Sequence, residues 1–200
     1  MRKGELTRES IVSLAASVAS KVGLNGLSIG ALADSLQLSK SGLFAHFGSK
    51  ERLTAEVVAY AGDRFRSIVL EPALLVTPRG EPQLRAIFES WLDWPRKSGL
   101  PGGCFFVAAA TELDDRPGEA RDKLVALQRA WFETLAALVK RACREGQFRS
   151  DLDTEQFSQD MYGIMLGCHH ASRLLHDRRA ETRARRAFAN LLIAAARPNR

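Results

Sequence analysis

Apolar residues recur at intervals of three and four along nearly the whole chain, and no alternating run is long enough to require a β-strand. Such a chain can bury its apolar stripes only by packing helix on helix, which sets the fold class as all-α. Glycine, proline and capping residues cut the pattern into elements. Ile11, Leu14, Ala15, Val18 and Val22 mark a first helix over roughly 7–22, with Thr7 as its N-cap and Gly23 as its stop. Leu24 is placed to fold back on Val18 or Ala19 in a Schellman ending. Asn25-Gly26 turns the chain, and Ser28 caps a short second helix whose apolar set is Ile29, Leu32, Ala33 and Leu36. Ser39 caps a third, which carries Leu43, Phe44 and Phe47 inward and ends at Gly48. Ser49 opens a fourth helix that continues through Leu53, Val57, Tyr60, Ala61 and Phe65 toward Leu70.

Pro72, Pro78, Gly80 and Pro82 mark a break, after which Leu84 to Trp94 read as a helix ending at Pro95. Residues 98–103 are a turn, 105–113 a short apolar helix, and 114–118 a second turn whose Pro117 suits a helix start. A long amphipathic helix over 119–144 stops at Gly146. Asp153 or Thr154 caps the next, over 155–175, with Met161, Ile164, Met165, Leu166, Cys168 and Ala171 spread round its middle. The last helix, 181–196, buries Ala184, Phe188, Leu191, Leu192 and Ala195 before Pro198. The spacing predicts two domains: a three-helix head over 1–52 and a helical bundle over 53–200.

The balance of 46% hydrophobic and 26% charged residues is that of a folded, water-soluble chain. Half of the net charge of +6 arises within residues 1–52, where seven Lys and Arg stand against four acids, so the head is the part suited to a polyanion. Cys104, Cys143 and Cys168 form no C-x-x-C pair, and neither a disulfide framework nor a zinc site is expected. No cofactor or metal is called for. An uninterrupted apolar run of about 18 residues is missing, as is a leader-like h-region, so the expected location is the cytoplasm, with no membrane partner.

The second and third helices, separated by Gln37-Leu38, have the proportions of a helix-turn-helix, whose second member enters the major groove of double-stranded DNA. Leu32, Leu36, Leu38, Leu43 and Phe47 would clamp the pair, leaving Lys40, Ser41 and Gly42 on the front. The amides that follow Ser28, Ser39 and Ser49 each offer hydrogen bonds to a phosphate. Under the competing reading, Lys40 and Lys50 are solvated charges and His46 is a packing residue.

Across Thr7 to about Leu53 the chain resembles the TetR/AcrR family of transcriptional regulators. The matching pieces are the apolar first helix, GLNGLS at 23–28, ALA at 31–33, SKSGLFAHF at 39–47 and SKERL at 49–53. The resemblance implies a ligand-responsive repressor that binds a palindromic operator as a homodimer, with Ser28, Ser39, Lys40, Ser41, Gly42, Phe44, His46 and Lys50 as its DNA-binding residues. It also implies a bundle that dimerises through its last two helices, here through Ile164, Ala171, Leu174, Phe188, Leu191 and Leu192, and encloses an effector. Two positions depart from the family. Gln37 stands where glycine is usual, so the turn either avoids positive φ or accepts strain of roughly 1 kcal/mol. Phe44 replaces a tyrosine and lacks its hydroxyl.

Phe88, Trp91, Trp94, Phe105, Phe106, Trp131, Met161 and Met165 are the side chains from which a pocket for an apolar or aromatic effector would be built, with His169 or His170 as polar anchor. Each of them also fits plain core. Cys104 follows Pro101-Gly102-Gly103 at a helix start, where the helix dipole favours a thiolate, though it suits a buried structural cysteine as well. The alternatives to a regulator are a helical small-molecule-binding module or a thiol-dependent enzyme using Cys104 and His169. No nucleophile elbow, phosphate-cradling glycine loop or H-E-x-x-H motif supports the enzyme.

Overall fold

The structure, a computed structural model, describes residues 3–197, with side chains from residue 8. Its helices are α1 (Lys3–Val22), α2 (Ile29–Ser35), α3 (Lys40–Phe47), α4 (Lys50–Phe65), α5 (Glu71–Leu74), α6 (Glu81–Lys97), α7 (Phe105–Leu113), α8 (Glu119–Arg144), α9 (Thr154–Arg173) and α10 (Ala180–Ala195). A π-helical turn, Arg66–Leu70, carries the chain from α4 into α5. Among the described residues no strand forms, although one antiparallel bridge joins Phe148 to Ala196.

Most expected elements fall within a residue or two of these bounds, and the differences have local causes. Helix α1 begins four residues before Thr7, which therefore lies inside the helix. Its end is a single-bond αL stop: the Gly23 N–H (φ +80°) donates to the Ala19 carbonyl at 2.8 Å, while the Leu24 N–H goes to the Glu112 carboxylate. No Schellman pair is made. Pro95 lies within α6, in its last turn, where it forfeits only its own bond to a carbonyl one turn back, so the helix leaves off two residues later. Asp153, not Thr154, caps α9, accepting the Glu155 and Gln156 N–H groups at 3.0 Å.

Contacts divide the chain into two compact units. The first contains the residues up to Phe65 together with Pro95–Leu127, and the second contains Arg66–Trp94 together with the residues from Gln128 onward. A division at 52/53 is not the one these contacts draw, because the 95–127 segment is bonded into the head. Gly102 donates its N–H to the Ser20 hydroxyl at 3.1 Å, and a Cβ at Gly102 would lie 1.4 Å from the Ser20 carbonyl oxygen. The Glu112 carboxylate accepts the N–H groups of Leu24 and Asn25 at 2.9 and 2.8 Å, taking up donors at the turn after α1. At the start of α8, the Glu51 carboxylate accepts the Glu119 N–H at 3.3 Å.

The first unit buries Ile11, Ala15, Ala16, Ala19, Leu24, Leu27, Leu32, Leu43, Phe47, Leu53 and Val57, so α1 and α4 form the backing against which α2 and α3 are held. In the second unit, α6 meets α10 through Phe88 stacked on Phe188, ring centroids 4.1 Å apart. Arg185 of α10 grips both Glu89 carboxylate oxygens at 2.9–3.0 Å. Helix α9 is less uniformly apolar than expected: Phe157, Ser158, Met161, Met165 and Cys168 form its buried stripe, while Gly163 and Gly167 are exposed with nothing within 4 Å of a Cβ.

Candidate nucleic-acid interface

Ser39 takes an extended conformation (φ −73°, ψ 151°) and its hydroxyl accepts the Gly42 N–H at 3.0 Å, so α3 starts where the sequence puts it. Ser28 does the same for α2, accepting from Ala31 at 3.4 Å. Two of the clamp residues, Leu43 and Phe47, are buried on one side of α3, and Leu36 and Leu38 are half-buried beside them. Geometry then fixes the other side: Lys40, Ser41, Phe44 and Ala45 stand one turn apart in pairs and are exposed.

Phe44, expected to point inward, is 45% exposed. Two inward positions four residues apart, Leu43 and Phe47, already define the packed stripe, and a residue next to Leu43 is turned about 100° away from it. Gly48, in the left-handed region at φ +74°, closes the helix by donating to the Phe44 carbonyl. Gln37 adopts φ +55°, so the turn accepts the strain that a glycine would relieve.

Lys40 lies across the first turn of α2, its Cε 3.0 Å from where a Cβ of Gly30 would stand. Gly30 thus makes room for the lysine stem, a role that no local pattern announces. Lys40, Ser28, Ser39 and Ser41 come together on one exposed surface, with the Ser39 and Ser41 hydroxyls 3.1 Å apart. Lys50 is exposed too, and its ammonium donates to the Asn25 carbonyl at 3.1 Å. His46 is half-buried, its ring 6.1 Å from that of Phe47.

Sequence reasoning passed over Arg8. Its guanidinium pairs with the Glu56 carboxylate, donates to the His46 carbonyl and sits over the Phe47 ring, 4.8 Å from the centroid. One side chain of α1 therefore fixes the end of α3 to α4. The signal available was an arginine in the first turns of an otherwise apolar helix.

The residues expected to hold an effector are distributed over both units: Phe105 and Phe106 in the first, and Phe88, Trp91, Trp94, Trp131, Met161, Met165 and His169 in the second. All except His169 are buried. His169 is half-buried, and desolvation, with Arg173 and His170 adding like charge, pushes its pKa below the ordinary imidazole value. Of the expected dimer residues, Phe188 and Leu192 are buried within their own unit, committed to Phe88 and the bundle core, and so present no surface to a partner. Ile164, Ala171 and Leu191 are half-buried and Leu174 is 65% exposed, while Leu175 and Ile193, which were not expected there, are 63% and 73% exposed.

Cys104 is buried at the start of α7. Among the described residues no group of three or more His, Cys, Asp or Glu could hold a metal ion, and no helix is long and apolar enough to cross a membrane.

A capped helix pair with one packed and one open side, backed by α1 and α4, is a helix-turn-helix DNA-binding head. Comparison with known proteins narrows the class. Residues 11–57 match the family described as bacterial regulatory proteins, tetR family, and residues 80–188 match the tetracyclin repressor-like C-terminal domain. Among solved structures, a TetR transcriptional regulator from Chloroflexus aurantiacus is 27% identical over 96% of both chains, with a TM-score of 0.85. The TetR-family regulator PfmR from Thermus thermophilus is 28% identical over 94% of this chain and 99% of that one, with a TM-score of 0.70. A TetR-family regulator from Cytophaga hutchinsonii, 19% identical over 100% of this chain and 99% of that one, shares the fold at a TM-score of 0.86. No curated protein gives a significant match. The chain belongs to the TetR family of bacterial transcriptional regulators.

Proposed function

We propose that this regulator is a homodimeric, ligand-responsive repressor that places one α3 helix of each protomer in successive major grooves of a palindromic operator, about 34–36 Å apart. The observation that carries the reading is the outward face of α3: Lys40 and Ser41 at its capped start, Phe44 one turn on, and Ser28 alongside. Lys40 and the hydroxyls of Ser28, Ser39 and Ser41 meet phosphate and base edges, and Gly42 lets the backbone approach closely. Phe44, lacking a hydroxyl, offers its ring to a thymine methyl group. His46 and Lys50 flank the reader, with Lys50 held toward the Asn25 turn.

Residues 1–52 read DNA, and 53–200 supply dimerisation and effector binding, with 95–127 the part of the latter that is bonded into the head. Dimerisation uses the open faces of α9 and α10, where Gly163 and Gly167 allow close helix approach and Leu174, Leu175 and Ile193 bring apolar surface. The effector is apolar or aromatic and enters among Phe88, Trp91, Trp94, Trp131, Met161 and Met165, anchored by His169. It acts by preferring a bundle state that displaces the reading heads. The site of action is the cytoplasm, where the operator is.

The test is selection of bound sequences from random duplexes, followed by salt titration of the best one. The reading expects a two-fold symmetric site. It also expects Lys40→Ala to reduce the salt slope by about 1.8, two phosphates being lost per dimer. Retention of no sequence at any salt concentration would leave the chain as a helical binding module. In sedimentation, Ile193→Glu is expected to yield monomers with unchanged helicity.

A further inference from the structure

A cleft of about 660 Å³ opens in the first unit between α1, α4 and the turn at 98–100. Its walls are unlike an effector pocket of aromatic side chains. Ser10, Ser13 and Ser17 stand at i, i+3 and i+7 along α1 and present a row of hydroxyls to it, a rise of about 10 Å. Tyr60 and Arg64, one turn apart on α4, face that row.

Two contacts set the direction. Arg8 pairs with Glu56 and Ser13 with Tyr60, so α1 and α4 advance together along the cleft, and Arg64 falls at the Ser17 end while Glu9 falls at the other. The Arg64 Nε donates to the Ser98 carbonyl at 2.8 Å, which fixes the plane of the guanidinium, and its Nη2 lies 3.7 Å from where a Cβ of Gly99 would stand. The Ser13 and Tyr60 hydroxyls share one hydrogen bond of 3.1 Å, and the hydroxyl that accepts in it keeps its own proton to donate. Leu14 and Leu100 supply the apolar floor.

We propose that this cleft binds a small hydroxylated monocarboxylate, of the size and kind of a sugar acid. Its carboxylate meets Arg64, and its hydroxyls lie along Ser10, Ser13, Ser17 and Tyr60. A planar guanidinium, its Nε bonded to the Ser98 carbonyl, suits a carboxylate better than a point charge would. Glu9 at the far end repels a second acidic group, so the site selects against dicarboxylates and tricarboxylates. An occupant bridges α1 and α4, the two helices that back the reading pair, and therefore stabilises the head.

The experiment uses the whole protein without DNA, with gluconate as probe and glucose, citrate and inorganic phosphate as comparators, by calorimetry and thermal shift. Saturable gluconate binding is expected, with a raised melting temperature, at least tenfold weaker citrate and phosphate binding, and no response to glucose. Arg64→Gln is expected to weaken gluconate tenfold or more. Because Arg64 also holds Ser98, Ser17→Val and Tyr60→Phe provide a check that leaves that tie in place, each with a loss of three- to tenfold. No saturation by gluconate, equal responses to gluconate and glucose, or unchanged affinity in Ser17→Val and Tyr60→Phe would each overturn the assignment. DNA binding is measured separately, so loss of the cleft proposal leaves the regulator reading intact.

Discussion

Replacing Arg8 by Gln removes three interactions at once, and their sum can be worked from the structure. The pair with Glu56 is a two-pronged fork, but the side chains are 41% and 27% exposed, which holds its worth to about 0.5–1 kcal/mol. The bond from a charged donor to the His46 carbonyl adds about 1–1.5 kcal/mol, since that oxygen lies in the last turn of α3, where helix carbonyls have no partner of their own. The guanidinium over Phe47 adds about 0.5 kcal/mol at a partly exposed site. The expected cost is therefore about 2–3 kcal/mol, or a fall of roughly 5–10 °C in the melting temperature of a chain this long. Urea unfolding at fixed protein concentration measures it, because the proposed dimerisation would make apparent stability concentration-dependent. Arg8→Lys keeps the charge and loses the fork, so it should recover less than half. A double-mutant cycle with Glu56→Gln should return a coupling of about 0.5–1 kcal/mol. An Arg8→Gln protein within about 0.5 kcal/mol of the parent, or an Arg8→Lys protein equal to it, would refute the idea that this side chain fixes α3 to its backing.

Gly102→Ala should destabilise the protein by about 3 kcal/mol in the same unfolding assay, because its Cβ would overlap the Ser20 carbonyl and one backbone would have to retreat. Gln37→Gly should stabilise by about 0.5 kcal/mol, the relief of a left-handed turn less the added freedom of glycine in the unfolded chain; a loss of stability would mean that the glutamine is not strained. His169 gives a pH signature. Its folded-state pKa lies below 6.5, so the stability it contributes is complete above that pH and is lost as pH falls and the unfolded chain takes up a proton that the fold resists. His169→Gln should flatten the decline of stability below pH 6.5, and an unchanged profile would place the linkage on other groups.

The head was legible because its determinants are local. A serine followed three residues on by an N–H that needs an acceptor, a glycine at φ +74° and a two-residue stripe of Leu43 and Phe47 are each written within one turn of the chain they control. The α7 and α8 bounds were equally plain, since turns rich in glycine, proline and aspartate flank them. What escaped was every property set by a distant residue. Glu112 captures the Leu24 N–H across 88 positions, which decides how α1 ends and why no Schellman pair forms. Gly30 is small because a lysine stem from the next helix lies over it.

The same distinction explains why Phe188 and Leu192, expected at a dimer surface, are buried in their own unit. Apolarity marks a residue for burial but does not say in what, and on α10 the largest apolar side chain, Phe188, is consumed by Phe88 inside the bundle. A helix that must serve both a core and a partner assigns its bulk to the core. In the proposed dimer, what remains for the partner is then smaller and more exposed: Gly163 and Gly167 on α9, Ile193 on α10, and Leu174 and Leu175 where α9 runs out. Such a face is nearly silent in hydropathy, because glycine contributes by what it leaves out. It becomes visible only when coordinates show open space where a Cβ would stand, so a face of this kind has to be sought by exposure and close-approach geometry rather than by counting apolar residues along a helix.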